Sequence, residues 1–418
     1  MKCLSFVGTT SPTVTTYRFR DREFRTPVIQ EALSSFFSID EIVLFMTTKA
    51  RETNHQMLMD RLNSPRVVMI PEGRSEEELW AIFSAVASHV DEGDEVIFDI
   101  THGFRSLPFL ALLSAAYLRE VKHVSIRAVT YGAFEARTGS ETPVFDLSPF
   151  IRIFDWMDAV RSFITHVDAG PMKDLVREHA IPELRSQEKG DIPVNLMRFS
   201  RDLDNFTKAV RLSRPEEAIS FASSIVSGLP AAAGEITKHT PPLAPVVGRI
   251  AEVSRFAPSD PGSGEGISPE HLRLQRDLIG FQVEKGLYTQ AITLAREWMI
   301  TVLVVAKGDG ERWLDRGVRQ DAENAISGME LKMQKKRYTR SDYSDWFETQ
   351  PFAKECTRIW GRLSALRNDI AHCGMNPNKK SIDSIEKNIR AMCTDLGRFL
   401  AITLPGYSGE INNTAPVS

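Results

Sequence analysis

The chain has 418 residues, 42% hydrophobic and 25% charged, the make-up of an ordinary folded protein, which excludes a disordered chain or a small stapled scaffold. Its 51 basic and 55 acidic residues leave a formal net charge of -4. No whole-molecule positive field therefore holds nucleic acid, and any such contact needs a local basic patch.

The N-terminal third alternates between two kinds of pattern. Lys2–Gly8, Glu41–Thr47, Arg66–Ile70, Glu95–Ile100 and His123–Tyr131 read as short strands. Pro27–Phe37, Thr53–Leu62, Ser75–Val90 and Arg105–Arg119 read as helices between them. Such alternation implies βαβ units and a mostly parallel, Rossmann-like sheet, with Thr142–Leu147 expected as an added edge strand. From Ser148 the strand signals stop. Helical patterns follow at Phe150–Val167, Asn195–Leu212, Pro215–Ser227, Pro269–Gly286, Tyr288–Ala306, Gln320–Lys336, Ala353–Ala371 and Lys380–Leu400. A Pro/Ala-rich stretch covers Leu229–Pro245, and Pro258–Ser268 reads as a loop or boundary. The expected fold class is α/β, then all-α. The expected domains are 1–150, a helical connector at 151–268, a second helical domain at 269–405 and a flexible tail at 406–418.

Cys3, Cys356, Cys373 and Cys393 form no Cys-x-x-Cys unit, which excludes zinc knuckles and thioredoxin-type motifs and suits a reducing compartment. The apolar N-terminus is too brief for a secretory signal, and Trp298–Ala306 falls short of the ~20 residues that span a bilayer. The reading is a cytoplasmic protein with no membrane partner.

In open parallel sheets, ligands bind beyond the carboxyl ends of the strands. Two loops there carry suitable chemistry: Gly8-Thr9-Thr10 after the first strand, and Thr101-His102-Gly103-Phe104-Arg105 after the fourth. Glycines allow close backbone approach, a following helix start attracts phosphate, and the Thr, His and Arg side chains add hydrogen bonds and charge. One such loop alone reads as a plain turn; two at the expected strand ends point to a phosphate-bearing, nucleotide-like ligand. No G-x-G-x-x-G or Gly-Lys-Ser/Thr closes either loop. Lys49, Arg51 and Asn54 are weaker candidates, read as solvated.

The second constellation is Arg367-Asn368-Asp369-Ile370-Ala371-His372, at the end of a helical pattern stopped by Gly374 and Pro377. Asn368 and His372 share a face, whereas Arg367 and His372 diverge by ~140° on an ideal helix. They converge on one phosphate only if the last turn unwinds or a second copy supplies the other half. Imidazole moves protons and guanidinium stabilises a phosphorane, which suits metal-free RNA cleavage by the 2′-hydroxyl. The basic run Lys332, Lys335, Lys336, Arg337 and Arg340 offers a path for an RNA backbone, with Lys335, Lys336 and Arg337 at its centre. Taken singly, these residues also read as an Arg–Asp surface pair and a capping histidine.

Together the two constellations resemble the CARF–HEPN effector ribonucleases of type III CRISPR systems. FVGTT and DITHGFRSLP (Asp99–Pro108) look like marks of a CARF domain. Tyr288, Ala291, Leu294 and Glu297 on one helix, followed by RNDIAH, look like marks of a HEPN domain. The resemblance implies a homodimer, or an oligomer of dimers, with no metal cofactor. It implies cyclic oligoadenylate as activator, with cyclic tetra-adenylate the expected ring, held by Gly8, Thr9, Thr10, Thr101, His102, Gly103 and Arg105. It also implies single-stranded RNA cut by Arg367 and His372 with Asn368 assisting. A side expectation is slow cleavage of the activator in the CARF site, with Thr10 and His102 assisting. The alternatives are an oligoadenylate-sensing regulator without nuclease activity and a nucleotide-dependent metabolic enzyme.

Overall fold

The computed structural model describes residues 1–103, 107–185, 192–259, 266–375 and 379–407. The chain divides into two compact units, Met1–Met157 and Asp158–Ser418.

The first unit is an eight-stranded mixed sheet with helices on both faces. In chain order it runs β1 (Lys2–Phe6), β2 (Thr15–Phe19), β3 (Arg22–Thr26), α1 (Ile29–Phe36), β4 (Glu41–Met46), α2 (Thr48–Arg61), β5 (Arg66–Met69) and α3 (Glu76–Ser88). It continues with β6 (Glu95–Asp99), α4 (Leu107–Lys122), β7 (Ser125–Gly132), β8 (Glu141–Asp146) and the start of α5 (Ser148–His166). Strand order is β3-β2-β8-β7-β6-β1-β4-β5. β1 pairs in parallel with both β4 and β6. The chain therefore winds outward from β1 in one direction and then restarts at β6 in the other, a switch point that opens a crevice at the strands' carboxyl ends.

Period-two alternation sends neighbouring side chains to opposite faces. Leu4, Phe6, Val43, Phe45 and Phe98 pack with Ile82 and Val86 of α3 and Leu107, Ala111 and Leu118 of α4. Cys3, Val7, Ile42, Leu44 and Met46 pack with Ile29 and Leu33 of α1 and Ala50 and Leu58 of α2. Both faces are covered, so the central strands are mainly apolar, as expected of parallel sheets, with Ser5 and Asp99 the buried polar exceptions in β1 and β6.

Two sequence expectations change here. β2 and β3 form an antiparallel hairpin that the sequence reading passed over. β8, expected at an edge, is interior: it pairs with β7 on one side and β2 on the other. The hairpin caps the sheet beyond β8 and leaves β3 as the edge strand.

The second unit is helical: the end of α5, α6 (Gly170–Arg185), α7 (Val194–Arg211), α8 (Pro215–His239), α9 (Val247–Ile250), α10 (Pro269–Glu284), α11 (Tyr288–Lys307), α12 (Arg316–Met333), α13 (Asp342–Thr349), α14 (Ala353–Ala371) and α15 (Ile382–Thr403). α6 and α13 were not expected, and α8 runs on through Pro230 to His239 instead of stopping at Ser227. By length and composition alone α8 and α11 could cross a membrane, contrary to the expectation that no run is long enough. In the fold, α11 is the central helix: Trp298, Met299, Val302 and Leu303 are buried where it packs against α10, α12, α14 and α15. The expected helix stop at Pro377, part of the expected loop at 258–268 and residues 408–418 of the expected tail lie outside the described residues.

Candidate functional site

The ends of β1, β4 and β6 meet around a cavity of about 400 Å³ lined by Gly8, Thr9, Thr10, Thr47, Lys49, Glu72 and His102. Four of the expected ligand residues, Gly8, Thr9, Thr10 and His102, are thus brought together. Gly8 faces the second loop so closely that a Cβ there would lie 3.1 Å from His102 Cβ and 3.2 Å from His102 O. Only glycine lets the two loops approach to this separation without a shift.

Thr101 and Gly103 are placed differently. The Thr101 hydroxyl accepts a hydrogen bond from the Gly132 amide at 2.8 Å, which turns it toward the end of β7. Gly103 donates its amide to Ile100 O at 3.1 Å in the turn ahead of α4. Arg105 lies outside the described residues.

Beneath the second loop runs a buried polar chain. Gln30 Nε2 donates to Ser5 Oγ at 2.7 Å, Ser5 donates to Asp99 Oδ2 at 2.6 Å, and Asp99 Oδ1 accepts the Thr101 amide at 3.1 Å. Asp99 is fully buried at the end of β6. Burial, and secondarily the Asp99 charge, pushes the Tyr17 phenol up to about 12 and raises the Cys3 thiol. His102 moves the other way: burial disfavours the imidazolium, only partly offset by Asp99, so its pKa falls below the ordinary 6.5.

Three cavity features escaped the sequence reading. Thr47 is the N-cap of α2, its side chain accepting the Ala50 amide at 3.2 Å, so the positive end of that helix faces the cavity. The Met46-Thr47-Thr48 run at a strand end was the available signal. Glu72, ion-paired with Arg74, adds a negative group to the lining that also holds Lys49. Asn54, read as solvated, is instead 3% exposed.

In the second unit, α14 stays regular through Ala371, and His372 is its C-cap, donating its amide to Asn368 O at 3.0 Å. The last turn does not unwind. Arg367, Asn368 and His372 are all exposed, and Arg367 Nη1 donates to Asn368 Oδ1 at 3.2 Å. The chain reverses at once through Cys373 (φ 54°) and Gly374 (φ 65°), with the Gly374 amide returning to Asp369 O at 3.0 Å. A groove of about 770 Å³ between α14 and α15 is lined by Arg358, Arg362, Lys380 and Asp395 among others. Of the basic run, Lys332 is held by Glu348 at 2.5 Å and Arg340 pairs with Asp345. Lys335, Lys336 and Arg337 project from the turn after α12, exposed. Glu297 accepts from Arg319 at 2.7 Å, an interhelical clamp between α11 and α12.

Comparison with known proteins bears on the first unit. Residues 2–135 match the family model described as the CARF domain of the CRISPR system endoribonuclease Csx1. The CRISPR-associated protein MJ1674 of Methanocaldococcus jannaschii is 30% identical over 148 residues. That match takes in 34% of this chain and spans only 22% of that protein's length. A solved structure, Enterococcus italicus Csm6 bound to cyclic hexa-2'-fluoro-hexa-dAMP, aligns over 98% of this chain and 95% of its own at 11% identity and a TM-score of 0.47. The N-terminal α/β unit is accordingly similar to the CARF domains of CRISPR-associated proteins.

Proposed function

We propose that this chain is a CRISPR-associated ribonuclease switched on by cyclic oligoadenylate, with cyclic tetra-adenylate the first ring to test. The observation that carries the reading is the cavity at the switch point of a CARF-like sheet. There Gly8, Thr9, Thr10 and His102 converge with the N-terminus of α2 and Lys49. Hydroxyls, a helix N-terminus and an ammonium group form a setting for a phosphodiester ligand.

Two chains pair, and the second unit does the cutting. On one α14 the Arg367 and His372 side chains are five residues apart on a regular helix, so each phosphate is gripped by groups from both copies. The 2′-hydroxyl of RNA attacks the adjacent phosphorus, His372 handles the proton, Arg367 stabilises the phosphorane charge and Asn368 orients Arg367. No metal is required by this chemistry. Lys335, Lys336 and Arg337 attract the RNA backbone.

The outward stripe of α4 supports pairing. Phe109, Leu113, Tyr117 and Val121 recur every four residues and are 66%, 38%, 43% and 55% exposed, an apolar face of the kind that marks an interface. The ligand controls activity through its different affinity for two arrangements of the pair.

The test is cleavage of a labelled single-stranded RNA by the full chain with cyclic tetra- or hexa-adenylate and a chelator present. Cutting is expected with wild type, and a loss of at least ~100-fold with Arg367→Ala or His372→Ala, the scale of removing one general acid–base group. Ligand binding without cutting would instead identify a regulator.

A further inference from the structure

The loop after β1 is fastened from one side by a single buried amide. Asn54 sits in the second turn of α2, 3% exposed, and its Nδ2 donates to Gly8 O at 2.8 Å and to Thr10 O at 3.2 Å. A carboxamide nitrogen has two hydrogens, and each is matched to one of these carbonyls. The loop divides two spaces. On the inner side, Gly8 and Thr10 border a small cavity with Asn54, Gln30 and Leu58. On the outer side, Gly8, Thr9 and Thr10 border the ligand cavity with Thr47, Lys49 and Glu72.

In a planar trans peptide the C=O of one residue and the N–H of the next point in opposite directions. The described peptides contain no cis bond. Drawing the Gly8 and Thr10 carbonyls inward therefore turns the Thr9 and Ser11 N–H groups outward. Among the described residues, neither of these amide hydrogens has an acceptor. Two outward amides on one short loop make a donor pair suited to an anion.

We propose that Asn54 is a positioning residue of the ligand cavity: by holding two carbonyls back, it presents the Thr9 and Ser11 amides to a phosphate oxygen of the bound ligand. The inference rests on the cavity's assignment to a phosphodiester ligand. It explains why a short amide, a mediocre helix former, is spent on a buried helical position. Leucine would leave both carbonyls unpartnered, and aspartate would set a carboxylate against two carbonyl oxygens.

The experiment uses the full chain labelled with 15N-threonine and 15N-serine. In wild type, cyclic tetra-adenylate shifts the Thr9 and Ser11 amide resonances downfield, as a new hydrogen bond to phosphate requires. Asn54→Ala weakens binding at least about tenfold, the worth of one to two hydrogen bonds, and abolishes those two shifts. Asn54→Asp weakens binding further. Wild-type affinity in Asn54→Ala, or wild-type Thr9 and Ser11 amides that do not move on binding, overturns the inference while the ligand assignment stands. If no cyclic oligoadenylate binds wild type, that assignment falls, and inorganic phosphate decides the cradle alone. Downfield Thr9 and Ser11 shifts in wild type but not in Asn54→Ala support it, and their absence in wild type overturns it.

Discussion

Replacing Asp99 with alanine tests whether the polar chain under the second loop holds the first unit together. The carboxylate is fully buried and satisfies two donors, the Ser5 hydroxyl at 2.6 Å and the Thr101 amide at 3.1 Å. Alanine strands both and leaves a void. Each stranded buried donor costs about 1–3 kcal/mol. The Ser5 hydroxyl can turn elsewhere, so the sum falls at about 2–5 kcal/mol. For a unit of this size about 1 kcal/mol moves the midpoint by roughly 2–4 °C, which gives a drop of roughly 4–20 °C. Asp99→Asn keeps one acceptor and is expected to lose about half as much. Because the chain has two units, a single melting curve mixes them. The suitable measurement is amide hydrogen exchange resolved by peptide, in which protection falls in β1 and β6 while α11 and α14 keep theirs. Unchanged exchange in β1 and β6 in the alanine variant would refute the reasoning, because it would mean that the buried chain contributes nothing net.

Two further outcomes are expected. Burial lowers the His102 pKa below 6.5, so in the window from 6.5 down to its folded-state pKa the unfolded chain binds the extra proton and the folded chain does not. Stability therefore falls as pH drops through that window. His102→Gln should flatten the pH dependence of β6 protection between pH 7 and 5, and an unaltered slope would count against the neutral buried imidazole. On α4, Leu113→Glu with Tyr117→Glu places charges in the exposed apolar stripe. Light scattering is expected to show a shift toward monomer and RNA cutting is expected to fall with it, whereas an unchanged assembly would exclude α4 as the pairing face.

The central strands were legible because a sheet covered on both faces demands apolar runs such as IVLFM within β4 and VIF within β6. The β2–β3 hairpin was not. Its TTYRF and REFRT segments interleave arginines with apolar residues, and its turn uses Arg20 at φ 55° in place of glycine. Without the hairpin, nothing told β8 that it had a second neighbour. In the cavity, glycines and threonines at strand ends pointed to two loops that line it. Which side chains face inward depended on long-range packing: Thr101 is claimed by Gly132 and Asn54 by the Gly8 loop, and neither partner is close in sequence. α8 escaped its expected stop because Pro230 lies on an exposed side of the helix, where water can take the carbonyl that proline leaves unpaired.

The corner after α14 has a consequence for how this part of the chain tolerates change. His372 is tied to the helix by its own amide, and the two left-handed residues behind it turn the backbone away at once. Lengthening or trimming the connection to α15 therefore leaves the imidazole where the preceding turn sets it, so that stretch can vary in length while the histidine stays in place.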